Sequence, residues 1–338
     1  MGRKKKEHDG EKLVFGSVSR RDFLYYCGGL AGSLALVGCG GDDEGAPGDE
    51  KKKGPSAEKV AEKLEKAAGK PPVIWLQGQD CAGCSISFLN AEDPPIAEIL
   101  LDKISLRYHE AVMAASGHVS EKALENTLAE GGYILVVEGS IPGADDRFCT
   151  VGGKPFEKIV LECAEQASAI VALGACATYG GIPGATPSRG MGVNQMVKDK
   201  PVINLPMCPA HHDHLVQTLV YYLTNEKAPP LDEHGRPKMF YAKTIHDQCE
   251  RKKHYDEGNY LQDWNDPKQA EWCLAEKGCK GGETYSDCPT RKYNGGVNYC
   301  IECGSPCQGC AEPTFYEKHS PLYANNLHLI NNKKESAA

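Results

Sequence analysis

The sequence predicts an α/β protein built on a doubly wound parallel sheet, followed by an irregular C-terminal region that an apolar core alone does not organise. Three observations predict it. Five short apolar or β-branched runs alternate with helical stretches between residues 73 and 223. Cysteines recur just beyond several of those runs, where loops leave the carboxyl ends of strands. After residue 232 the alternation stops, and Gly, Pro, Asn and aromatic residues take over without apolar periodicity.

The chain has 338 residues, 41% of them hydrophobic, which suits about two domains. Its net charge of −8 excludes a nucleic-acid partner, because no basic face appears outside the N-terminus. At residues 19–24 "SRRDFL" is a twin-arginine pattern, and the apolar run after it is too short to span a bilayer. Residues 1–39 read as an export signal. "LVGC" at 36–39 resembles a lipobox, making Cys39 a lipid attachment site, with plain cleavage nearby as the alternative. Residues 40–70 mix Gly, Pro and charge with almost no large apolar side chain, so they form a flexible linker, with a short helix near 57–68.

The predicted strands are "VIWLQ" (73–77), "ISLRYH" (104–109), "YILVVEG" (133–139), "SAIVALG" (168–174) and "PVINLP" (201–206). Helices are predicted around 155–166 and 210–223. "QGQDCAGCS" follows the first strand, "GACATYGGIPG" the fourth and "PMCPAHHDH" the fifth. Loops at those ends converge on one crevice in an open α/β sheet, so Cys81, Cys84, Cys176 and Cys208 become neighbours. Four such thiolates can hold a 4Fe-4S cluster or a zinc ion. Glycines around them permit close backbone approach and bring amide N–H groups near sulfur.

Sixteen cysteines are too many to be incidental. In an exported chain the default reading is disulfides. Twin-arginine export carries proteins already folded, which suits a chain that receives a cofactor first. The C-terminal third contains His246 and eight cysteines, and metal or cluster ligation there can substitute for an apolar core.

Together, "WLQGQDCAGCSISFLN", "VEGSIP", "GACATYGGIPGA", "NLPMCPAH", "HDQCER", "GCKGGETYSDCP" and "SPCQGCAEP" resemble the small subunit of periplasmic nickel-iron hydrogenases. The resemblance runs in order from about 72 to 320 and looks closest to the nickel-iron-selenium branch. It implies a flavodoxin-like domain over 71–232 whose proximal 4Fe-4S ligands are Cys81, Cys84, Cys176 and Cys208. It also implies a domain over 233–338 with a medial and a distal cluster. The distal 4Fe-4S ligands map onto His246, Cys249, Cys273 and Cys279, and three medial ligands onto Cys288, Cys307 and Cys310. Many family members carry proline where this chain has Cys300, and hold a three-iron (3Fe-4S) cluster there. A fourth thiolate predicts a medial 4Fe-4S cluster with Cys300 as ligand and Cys303, absent from the family pattern, as the alternative.

The same resemblance implies a large-subunit partner that holds the nickel-iron centre. Electrons from hydrogen oxidation would pass through the proximal, medial and distal clusters to a periplasmic multihaem cytochrome c. The expected location is the periplasm, reached by the twin-arginine route, with a lipid on Cys39 as tether. An acceptor inside the membrane is disfavoured, since no apolar helix follows "SPLYANNLHLINNKKESAA". Catalysis is expected on the partner, and no residue here is assigned a catalytic role. Without extra cysteines beside Cys81 or Cys84, oxygen sensitivity is expected.

The run His211, His212, Asp213, His214 departs from the family pattern and is read as capping a helix or meeting solvent, with metal binding as the alternative. Cys149 and Cys163 read as small hydrophobic residues. Glu138, at the end of the third strand, either orients the proximal site, contacts a partner, or is salt-bridged. Two rivals remain: a cluster-bearing subunit of another redox complex, and a disulfide-stapled extracellular binding protein. The large subunit is excluded, because the contexts "QDCAGC" and "SPCQGCAEP" do not fit its cysteine pairs.

Overall fold

The computed structural model describes residues 70–316, which lie within one compact unit. The twin-arginine motif, Cys39, the linker, the helix expected near 57–68 and the last residues of the chain lie outside the described residues. Five strands form one all-parallel sheet: β1 (Pro72–Gln77), β2 (Ser105–His109), β3 (Ile134–Glu138), β4 (Ala169–Leu173) and β5 (Val202–Leu205). Their spatial order is β2-β1-β3-β4-β5. These are the five runs expected from the sequence, with ends shifted by a residue or so.

The strands are apolar throughout because both faces are covered. Val73, Trp75, Ile134, Val136, Val171 and Leu173 point to one side and pack with Phe88, Leu215 and Phe240. Ile74, Leu76, Leu135, Val137, Ile170 and Ala172 point to the other and pack with Phe156, Val160 and Cys163. The covering helices are α1 (Gly83–Leu89), α2 (His118–Glu130), α3 (Phe156–Gln166) and α5 (His212–Asn225), while the short α4 (Gly174–Tyr179) opens directly from the end of β4. No helix among the described residues is long and apolar enough to cross a membrane.

Past residue 238 the backbone forms only short helical turns, such as Lys238–Tyr241, Lys252–Asp256 and Cys288–Arg291. Its own apolar cluster is small: Ile245, Leu261, Leu274, Tyr299, Ile301 and Cys307. Polar ties supplement it. Buried Arg236 bridges Asp232 at 2.7 Å and Glu312 at 2.9 Å, and also donates to the Ala311 carbonyl. That fixes the segment just after Cys310 against the sheet-bearing part of the chain.

Candidate metal centres

The crevice at the carboxyl end of the sheet is built by β1, β4 and β5 handing over to tight turns. Gly174 turns the chain from β4 into α4 with φ +88°, and a Cβ there would lie 2.5 Å from Cys84 Sγ. Only glycine allows that approach. Cys81 and Cys84 come from the β1 turn, Cys176 from α4, and Cys208 from the loop after β5. Electrostatically, Cys84 senses Cys176 and Cys208, Cys176 senses Cys208 and Cys81, and Cys208 senses Cys81. The four predicted proximal residues therefore face one crevice, within electrostatic reach of one another.

Burial raises the Cys84 thiol well above its usual range, helped by the nearby Glu138 carboxylate. Burial and Cys208 push Cys176 up to about 12. Crowded thiols in a low dielectric lose their protons only to a compensating cation. Amide donors already face the sulfur: Ala210 N–H donates to Cys84 Sγ at 3.4 Å. Among the described residues all fourteen cysteines are free of disulfides. Sulfurs gathered in fours, with amides pointing at them and no room for a Cβ between, fit a cluster rather than disulfide pairs.

Glu138 is 1% exposed and makes no salt bridge among the described residues. Its Oε1 accepts from the Cys84 and Ser85 amides, both at 3.0 Å. These are first-turn N–H groups of α1, which lack helical partners. Its Oε2 accepts from Trp75 Nε1 at 3.0 Å and from Ser85 Oγ. Behind it, His109 Nδ1 accepts from the Ala111 amide, so Nε2 is left to donate to Ser85 Oγ at 3.2 Å. Burial lowers that imidazole to about 4. Glu138 thus holds the Cys81–Cys84 loop in place, the first of the roles considered for it. Trp75 and Ser85 carried no such signal in the sequence; only their place beside the cysteines hinted at one.

The medial set assembles from Cys288, Cys300, Cys307 and Cys310. Cys288 senses Cys307 and Cys300, and Cys310 senses Cys288 and Cys307. Cys300 and Cys303 are both exposed and lie beside each other, but Cys288 and Cys307 sense Cys300 and not Cys303. Ser286 Oγ lies 3.2 Å from Cys288 Sγ, and the Gly309 amide donates to Cys307 Sγ at 3.5 Å.

His246, Cys249, Cys273 and Cys279, the predicted distal set, line one small cavity together with Arg251 and Ile301. The Arg251 amide donates to Cys249 Sγ at 3.4 Å. His246 stacks edge-on against Tyr255, 4.6 Å between ring centres, and Tyr255 is 43% exposed. The three sets adjoin in series. Cys310 senses Cys208, which brings proximal beside medial, while Cys307 and Cys300 both sense Cys279, which brings medial beside distal.

The histidine run splits. His211 caps α5 as expected, Nδ1 accepting from the Asp213 amide at 3.1 Å while Nε2 donates to the Lys292 carbonyl. His214 does not meet solvent: it is fully buried between Tyr241 and Asp287, 2.8 Å from the carboxylate. Its partner is 73 residues away in sequence, which is why the spacing concealed it. Cys163 is wholly buried and Cys149 half-buried against the same core, so both act as small apolar residues.

Residues 81–222 match the family model described as NADH ubiquinone oxidoreductase, 20 Kd subunit, and residues 241–323 match that of the C-terminal part of the NiFe/NiFeSe hydrogenase small subunit. The periplasmic [NiFe] hydrogenase small subunit 1 of Nitratidesulfovibrio vulgaris is 40% identical over 94% of this chain and 97% of its own length. The chain belongs to the nickel-iron hydrogenase small-subunit family. The uptake hydrogenase small subunit of Azotobacter vinelandii is 38% identical over 90% of this chain and 82% of its own. Among solved structures, the Ni-Fe-Se hydrogenase of Desulfomicrobium baculatum is 38% identical with TM-score 0.71, covering 75% of this chain and 99% of that one. The [NiFeSe] hydrogenase of Desulfovibrio vulgaris Hildenborough is 36% identical with TM-score 0.70, covering 76% of this chain and 98% of that one. Hydrogenase small subunits are the electron-transfer half of an oxidoreductase, and this chain is one of them. The first family model alone would also suit a subunit of another redox complex. The second, over the cysteine-rich third, decides against that rival.

Proposed function

We propose that this small subunit relays electrons from the nickel-iron centre of a partner large subunit through three 4Fe-4S clusters in series. The proximal cluster would be held by Cys81, Cys84, Cys176 and Cys208, the medial by Cys288, Cys300, Cys307 and Cys310, and the distal by His246, Cys249, Cys273 and Cys279. The observation that carries this reading is the serial adjacency of the three sets, Cys208 against Cys310 and Cys279 against Cys307. The clusters supply outer-sphere electron transfer. The protein's part is to space them and aim N–H groups at sulfur.

The β2-β1-β3-β4-β5 order supports a flavodoxin-like domain over 71–232, with the cysteine-organised domain from 233 onward. Cys300 is favoured over Cys303 because Cys288 and Cys307 both sense it. The names of the periplasmic and uptake relatives support an exported location. Twin-arginine export, a lipid on Cys39 and a multihaem cytochrome c acceptor complete the proposal; the half-exposed Tyr255 beside His246 suits an exit at the surface.

The test is anaerobic isolation of the complex from the membrane fraction, with hydrogen-driven dye reduction, iron and nickel measured together. Activity with nickel and about twelve irons beyond the one in the nickel-iron centre is expected. Iron without nickel or hydrogen activity would reassign the wire to another partner.

A further inference from the structure

Tyr299 is 4% exposed and directly precedes Cys300, so its main chain belongs to the medial set. Its side chain runs the other way. The phenol oxygen lies 3.9 Å from Cys249 Sγ and donates to the Glu250 carboxylate. One phenolic proton thus stands between a distal sulfur and a carboxylate on the residue next to it. Buried and hydrogen-bonded to Glu250, the phenol is held in one orientation beside Cys249.

We infer that Tyr299 and Glu250 act as a pair of positioning residues that set the reduction potential of the distal site. The inference rests on the distal assignment proposed above. A negative charge beside a cluster lowers its potential, and a donor directed at its sulfur raises it. Glu250 supplies the first influence. Tyr299 gives its one proton chiefly to Glu250 and so tempers that charge, with a weaker donor contact to Cys249 Sγ at 3.9 Å as the second influence. Removing the phenol withdraws a donor and leaves the carboxylate charge unshared, so both consequences push the potential the same way, downward. Removing the carboxylate charge pushes it upward.

The position of the pair gives this a purpose. The same residue spans the medial and distal sets, so a change in its side chain alters the last internal step of the wire without replacing a ligand. The Arg251 amide, which also donates to Cys249, is main chain and survives any side-chain substitution there.

The test is a potentiometric titration of the intact complex followed by low-temperature electron paramagnetic resonance, comparing wild type with Tyr299→Phe and Glu250→Gln. The expected result is a distal signal that titrates at lower potential in Y299F and at higher potential in E250Q, with the medial midpoint unmoved in E250Q. Should Y299F lose its clusters, the upward shift in E250Q still decides the matter. An intact distal cluster whose midpoint stays put in E250Q, or moves in the same direction in both variants, overturns the inference and leaves the assignment standing. Absence of a distal cluster from the wild-type complex overturns both.

Discussion

The sheet half and the cysteine-rich half hold their sulfurs in opposite ways. Around the sheet, nineteen buried residues pack on each face, and the proximal cysteines ride on turns whose positions the sheet dictates. Past residue 238 six buried residues form the local core, and short helical turns stand in for layered structure. In the first half the fold makes the site. In the second, on the proposed ligand assignment, the sites make the fold, because cluster binding there would contribute folding free energy that the small core does not. The difference teaches that similar ligand chemistry serves as cargo in one place and as scaffold in the other.

The largest effect that would break this contrast is removal of iron. Stripping the complex with a chelator under reducing conditions should leave β1, β3 and β4 protected from amide exchange while residues 238–316 exchange at near-unfolded rates. Equal protection in both halves would erase the distinction.

A more local test uses Gly174, where backbone conformation and close approach coincide. Gly174→Ala forces a Cβ to 2.5 Å from Cys84 Sγ at φ +88°. The expected outcome is loss of about four of the roughly twelve irons, with the medial and distal signals retained. Loss of all clusters together would mean that the halves are not independent.

Cys300→Ala sharpens the comparison on the other side. With three thiolates left, the medial cluster should become a three-iron centre that is paramagnetic when oxidised, whereas Cys303→Ala should leave the spectrum of the parent. The reverse pattern would make Cys303 the fourth ligand.

The smallest effect concerns the Glu138 anchor. Glu138→Gln keeps one acceptor oxygen for the Cys84 and Ser85 amides but turns the other position into a donor facing Trp75 Nε1. A mismatch of that kind costs about 1–3 kcal/mol. It should appear as a proximal midpoint raised by loss of the negative charge, with little change at the distal site. An unshifted proximal midpoint would deny Glu138 its influence on that cluster.

Much of this was legible in the chain itself, for reasons that differ between halves. Strands such as 73–77 and 133–139 announced themselves because apolar residues facing both sides leave a continuous run. The proximal cysteines were legible because they follow those runs. No periodicity led to the medial and distal sets, since the turns that carry them have none; the motif resemblance alone supplied them. Side-chain pairings across long separations were illegible altogether. Nothing near His214 pointed to Asp287, and nothing near Tyr299 pointed to Cys249, 50 residues earlier. The first depends on how the second half lies against the sheet, the second on how the turns of the second half fold back on one another.

The most direct measurement is the electron paramagnetic resonance spectrum of the complex, oxidised anaerobically, recorded with its iron content. Three 4Fe-4S clusters predict about twelve irons beyond the one in the nickel-iron centre and no strong three-iron signal, followed by signals from all three clusters on reduction with hydrogen. A strong three-iron signal in undamaged protein, with about eleven irons beyond that centre, would contradict the four-thiolate medial site. Iron for only one cluster would contradict the wire itself.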